Sequence, residues 1–108
     1  MTFSIKSFFC LSALFLAATA PVNAAEGNAK AAEAKISMCI GCHQIPDYKA
    51  SFPTVYSVPL IKGQNAKYIE AALNAYKKGE RSHPTMRGIA KQLSDQDIAD
   101  LAAYYGSK

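Results

Sequence analysis

The chain has 108 residues, 50% of them hydrophobic, with three cysteines, no tryptophan and a net charge of +4. That length fits one domain, and three cysteines are too few for the disulfide framework that often holds a small exported domain together. The positive balance is mild and no Lys/Arg cluster is interleaved with aromatic residues, which argues against a nucleic-acid partner.

Residues 1–24 read as a secretory signal peptide. Lys6 supplies the positive start, Phe8–Ala18 the apolar run, and Val22-Asn23-Ala24 the small-residue exit. Cleavage after Ala24 leaves residues 25–108 as the mature domain. The rival reading is a retained anchor, but the apolar run falls short of the roughly 20 residues that span a bilayer, and Pro21 breaks it. Cys10 lies inside the run rather than at its end, so it reads as an apolar filler of a removed segment and not as a lipid-anchor cysteine. No other stretch is apolar enough to span.

Three helices are expected in the mature chain. The first runs from about Gly27 to Ile40, with Ala29, Ala32, Ile36 and Ile40 approximating one face. The second begins after Asn65 as N-cap and places Ile69, Ala72, Leu73 and Tyr76 on one stripe. Lys77 and Lys78 suit its C-terminus and Gly79 stops it. The third opens with Ser94 as N-cap and Asp97 at the third helical position, a variant of the capping box. Ile98, Leu101, Ala102 and Tyr105 form its buried stripe and Gly106 ends it. No stretch alternates with period two, so the fold class is all-α.

The chemistry concentrates in Cys39-Ile40-Gly41-Cys42-His43. Two cysteines separated by two residues match the neighbouring vinyl groups of a haem, each adding through sulfur, and the histidine that follows supplies the proximal nitrogen to iron. This pattern predicts one covalent haem. Three other readings remain open at this point. A disulfide between Cys39 and Cys42 would close a tiny loop of little stabilising value. A zinc site would need further ligands, and His83 alone is left among His and Cys. A thioredoxin-like pair expects a βαβ context that the chain lacks. For a second axial ligand the candidates are Met86, His83 and Met38. Met38 adjoins Cys39 and so lies on the proximal segment, where core or helix-surface packing suits it better. Pro84 stiffens the approach of His83, which reads as an exposed loop residue. Met86 sits in the Gly- and Pro-bearing connection between the second and third helices, and the residues alone leave it open between core packing and iron ligation.

The order of these features, with Pro59-Leu60-Ile61-Lys62-Gly63-Gln64, Tyr68, Leu73, Tyr76, Gly79, Met86, Leu93-Ser94-Asp95 and Leu101-Ala102-Ala103-Tyr104-Tyr105, resembles class I bacterial cytochromes c. It is similar to the short periplasmic monohaem kind and to one half of periplasmic dihaem cytochromes c, over essentially the whole mature chain. The resemblance implies three main helices around one covalent haem, with the N- and C-terminal helices crossing. It makes Met86 the distal ligand and His43 the proximal one, and it makes Pro59 the residue whose carbonyl accepts the ring N–H of His43. The stretch Ile45–Ser57 is longer and more aromatic than the shortest members show, and it reads as cover for a haem edge or, less simply, as a partner surface.

The function that follows is periplasmic electron transfer, with iron cycling between ferrous and ferric states and no open position for substrate. The chain then acts as an electron carrier or as the electron-accepting subunit of an oxidoreductase, a monomer meeting redox partners transiently. Lys49, Lys62, Lys77, Arg81, Arg87 and Lys91 either ring the haem edge and steer acidic partners or form an ordinary solvated surface. The alternatives are a haem enzyme or a gas or peroxide sensor, in which Met86 leaves iron open, and a haem-free thiol–disulfide protein.

Overall fold

The computed structural model describes residues 25–51 and 54–107. The expected signal peptide, with Cys10, lies outside the described residues. In chain order the elements are α1 (Ala29–Ala32), α2 (Ser37–His43), β1 (Lys49–Ala50), β2 (Tyr56–Ser57), α3 (Ala66–Lys78), α4 (Pro84–Ala90) and α5 (Asp95–Gly106). Helices dominate, in keeping with the all-α class I cytochrome c fold.

The expected first helix is two. Asn28, not Gly27, is its N-cap, and the Asn28 side chain accepts from the backbone N–H groups of Lys30 and Ala31. After Ala32 a turn over residues 33–36 interrupts the helix, mixing i→i−3 bonds, Glu33 N–H to Lys30 O at 3.2 Å and Lys35 N–H to Ala32 O at 2.7 Å, with an i→i−4 bond from Ile36 N–H to Ala32 O at 3.1 Å. Ile36 and Cys39 pack against the core beside the buried Ala32. Helix α2 then continues through the whole Cys-x-x-Cys-His motif.

Helix α5 is the centre of the packing, in contact with both α1 and α3, while α4 rests on α3. Ile98, Leu101, Ala102 and Tyr105 are all buried, as their spacing predicts. The crossing of the N-terminal segment over α5 is close: a Cβ on Gly27 would run into the carbonyl of Ala99 and lie 3.0 Å from the Ala103 Cβ. Polar contacts fix the same crossing. The backbone N–H of Asn28 donates to the Asp100 carboxylate at 2.7 Å, and Gln96 Nε2 donates to Glu26 O and to Asp100, each at 2.9 Å. At the other end of α5 a Cβ on Gly106 would lie 2.6 Å from the Ala66 Cβ, so α3 begins where only a glycine leaves room.

Helix α3 has the expected ends. Asn65 Oδ1 accepts from Tyr68 N–H at 3.1 Å, and Gly79 closes the helix at φ 84°, where a glycine carries no steric cost. Helix α4 was not expected. Its Pro84 occupies the first turn, where the missing N–H costs nothing, and the His83-Pro84 pair that reads as loop punctuation is its start. Strands β1 and β2 pair as a short antiparallel ribbon, Lys49 with Ser57 and Ala50 with Tyr56. Two-residue strands do not alter the fold class. No helix among the described residues is long and apolar enough to cross a membrane.

Candidate haem site

The elements enclose a cavity of about 670 Å³, within the range of small-molecule and cofactor sites. Its walls come from four of the helices and a connecting strap: Cys39, Cys42 and His43 on α2, Pro59–Ile61 in the strap before α3, Ile69, Leu73 and Tyr76 on α3, Met86 and Ile89 on α4, and Leu101 and Tyr105 on α5. Ala50, Tyr56 and Ser57 bring the ribbon to the same cavity, so that part of the Ile45–Ser57 stretch serves as cover.

Cys39 and Cys42 are free, half-buried thiols. Burial pushes the Cys39 thiol above its ordinary pKa, and the neighbouring Tyr105 hydroxyl offsets this only in part. A thiol held in its protonated form is a poor nucleophile for disulfide exchange, which counts against the thiol–disulfide alternative. Tyr105 is pushed up as well, first by burial and then by Cys39. The Tyr105 hydroxyl is buried and completes no hydrogen bond, so its relation to Cys39 is proximity rather than a formed bond. That leaves an unpartnered donor in the cavity wall.

His43 Nδ1 lies 2.7 Å from the carbonyl oxygen of Pro59. The carbonyl can only accept, so Nδ1 carries the proton and donates, and Nε2 keeps the lone pair that a metal needs. Met86 reaches the cavity from a different helix, and its backbone N–H donates to His83 Nδ1 at 3.4 Å. His83 is therefore not the exposed loop residue expected. It is half-buried, caps α4, and stacks edge-on against Tyr56 with ring centroids 4.9 Å apart. Met38 also lines the cavity but stays 37% exposed at its mouth.

The six basic residues, read as either a steering ring at the haem edge or an ordinary solvated surface, do not gather round the cavity. Arg81 lines the cavity with its guanidinium 4.6 Å over the Tyr76 ring, and Lys62 borders a smaller pocket beside His43. Lys77 is paired to Asp95 at 2.8 Å, and the Arg87 guanidinium packs over Gly79. Among the described residues no three His, Cys, Asp or Glu side chains gather as a bare metal site.

These residues fit a covalently held haem. The walls are largely apolar, two thiols stand two residues apart, one imidazole nitrogen is anchored so that the other is available, and a thioether is supplied from another helix. The family model for cytochrome c matches residues 24–107.

The chain belongs to the cytochrome c family. It is 42% identical over 85 residues to cytochrome c-554(548) of Halomonas halodenitrificans, covering 76% of this chain and 98% of that one. It is 37% identical over 84 residues to cytochrome c4 of Pseudomonas aeruginosa, covering 78% of this chain and 40% of the relative. Against the thiosulfate dehydrogenase electron acceptor of Stutzerimonas stutzeri it is 32% identical over 78 residues, covering 69% and 34%. This cytochrome c thus spans nearly the whole of the first relative and well under half of the other two. Its cofactor is covalent haem c and its chemistry is electron transfer through that haem.

Sequence reasoning missed two residues of the site. The Tyr105 hydroxyl was hidden because helical periodicity reports which face a residue shares and not where the end of its side chain stops. The capping role of His83 was hidden because histidine is not among the favoured N-cap residues.

Proposed function

We propose that the protein is a periplasmic electron carrier in which Cys39 and Cys42 hold the haem as thioethers and His43 and Met86 are its axial ligands. The observation that carries this reading is the 2.7 Å bond from His43 Nδ1 to the Pro59 carbonyl. It leaves Nε2 as the metal-binding nitrogen in the cavity that Cys39, Cys42 and Met86 also line.

Bound there, the haem supplies one-electron exchange between ferrous and ferric iron. Pro59 fixes the ring plane of His43 and, by drawing on its N–H, strengthens donation from Nε2. The Met86 thioether favours the ferrous state and raises the potential. Ile69, Leu73 and Leu101 exclude water and disfavour the extra positive charge of the oxidised form, which pushes the same way. With both axial positions taken, the residues offer no place for a substrate to bind iron.

The export signal over residues 1–24 supports cleavage after Ala24 and a periplasmic site of action for residues 25–108. The chain works as a monomer that meets its redox partners transiently. Likeness to a thiosulfate dehydrogenase electron acceptor supports service to a dehydrogenase as the electron-accepting component.

Visible spectra of the purified protein test the assignment. A low-spin c-type spectrum with the far-red methionine–iron band is expected in the ferric protein, and a high-spin spectrum without that band would favour an open-site enzyme or sensor. Met86→Ala is expected to lower the reduction potential and let carbon monoxide bind, whereas an unchanged potential removes Met86 as a ligand.

A further inference from the structure

We infer that His83 is the positioning residue for Met86, holding the helix that carries the thioether by capping the backbone of Met86 itself. This rests on the reading of Met86 as an iron ligand.

Helix α4 has seven residues, too few to hold itself in water. Its start is set by two neighbours in sequence. Pro84 fixes the first helical φ, and His83 stands before it in the extended conformation, φ −67° and ψ 112°, that both a pre-proline residue and an N-cap require. The His83 ring turns back so that Nδ1 accepts the Met86 N–H at 3.4 Å. The ring is half-buried, and Tyr56 of the ribbon supports it edge-on, 4.9 Å between centroids at 67°. Ribbon, cap and thioether-bearing residue therefore form one connected unit, and Tyr56, His83 and Met86 all line the cavity.

The chemistry of imidazole adds a second consequence. A neutral ring whose Nδ1 accepts a hydrogen bond carries its proton on Nε2. Neither nitrogen then has a lone pair to give to iron. While it caps α4, the one histidine positioned to compete with Met86 is withheld from the metal.

In this reading, release of Met86 from iron is coupled to local opening of α4. Loss of an N-cap weakens a helix start by about 1 kcal/mol, roughly a fivefold change in an equilibrium. The measurement is an imidazole titration of the ferric holoprotein, following loss of the far-red methionine–iron band. His83→Ala is expected to lose the band at roughly fivefold lower imidazole than the wild type, the size of one lost cap. His83→Asn restores an amide oxygen that accepts the same N–H and is expected to return close to the wild-type midpoint. A His83→Ala midpoint equal to the wild type overturns the proposal, and so does a His83→Asn midpoint as low as that of His83→Ala, because capping is then not the means. Met86→Ala separates the two levels of the argument: a band that survives in that variant shows that Met86 is not the ligand, and the failure then belongs to the ligand assignment.

Discussion

Asp100 is the charged side chain buried among the described residues, 7% exposed, and it sits on α5 facing Asn28. Its carboxylate receives the Asn28 N–H at 2.7 Å and the Gln96 amide at 2.9 Å. Replacing it with leucine removes a charged acceptor from the part-buried Asn28 N–H, which costs about 1–3 kcal/mol. Asp100→Asn keeps an acceptor oxygen in the same place, so its loss is expected to be clearly smaller. Denaturant unfolding of the two variants checks this, and equal losses would show that packing rather than the Asn28 bond is what Asp100 contributes. At this scale the sequence was legible where covalent chemistry dictates spacing. The spacing of Cys39, Cys42 and His43 is what the proposed thioethers and proximal imidazole would need to serve one macrocycle, and the family's covalent haem c agrees with it. Asp100 gives no such sign, because a carboxylate beside a buried stripe looks the same whether it faces water or a backbone N–H from the far end of the chain.

Helix α5 begins with a complete capping box. Ser94 Oγ accepts from Asp97 N–H at 3.1 Å, and the Asp97 carboxylate accepts from Ser94 N–H at 2.9 Å. Those bonds, and then Lys35 at 3.4 Å, hold the Asp97 carboxyl below its ordinary pKa. A carboxyl whose folded pKa lies below its unfolded value of about 3.9 gives stability that is fully present above that value and is lost as pH falls through the folded pKa. Wild-type unfolding free energy is therefore expected to fall more steeply below about pH 4 than that of Asp97→Asn, as measured by denaturant titrations at stepped pH. Parallel curves would mean that the cap is screened away by solvent. The same crossing gives a steric prediction. Gly27→Ala pushes a methyl group into the Ala99 carbonyl, and overpacking of this kind costs about 1–3 kcal/mol, to be read as a lowered thermal midpoint. Strong caps made α3 and α5 legible nearly to the residue, through Asn65, Gly79 and Ser94. Two features escaped. The division of α1 from α2 is a turn over residues 33–36, in residues that are all compatible with a regular helix. Helix α4 has seven residues with Pro84 at the front and Gly88 inside, so its hydrophobic period is too short to register, and the His83 cap together with packing on α3 makes it a helix.

Across the whole molecule, the core and the haem site are one structure. The largest fully buried side chains among the described residues are Tyr105, Ile98 and Leu101, and two of these three, Tyr105 and Leu101, also wall the cavity. Ile69, Leu73 and Ile89 present further apolar surface to it. Burying a Leu or Ile side chain is worth roughly 1.5–3 kcal/mol, while the net stability of a small domain is about 5–15 kcal/mol. Losing the cofactor contacts of a few such walls therefore takes a large share of the margin by which the fold exists, and a chain of this size has little else to draw on. In the proposed reading, covalent attachment through Cys39 and Cys42 would make the cofactor a permanent part of the interior rather than a ligand in exchange with solvent. The haem-free Cys39→Ser, Cys42→Ser chain is accordingly expected to lose most of the far-UV circular dichroism helix signal and the cooperative thermal transition expected of the haem-bearing protein. The outcome also separates two accounts of the interior. A sharp transition retained without haem would mean that the packing of α1 and α3 on α5 is self-sufficient and that the cofactor only occupies a cavity the helices already hold open. A broad, uncooperative melt means that the haem is the largest single element of the hydrophobic core, so that folding and acquisition of the electron-transfer group are the same event.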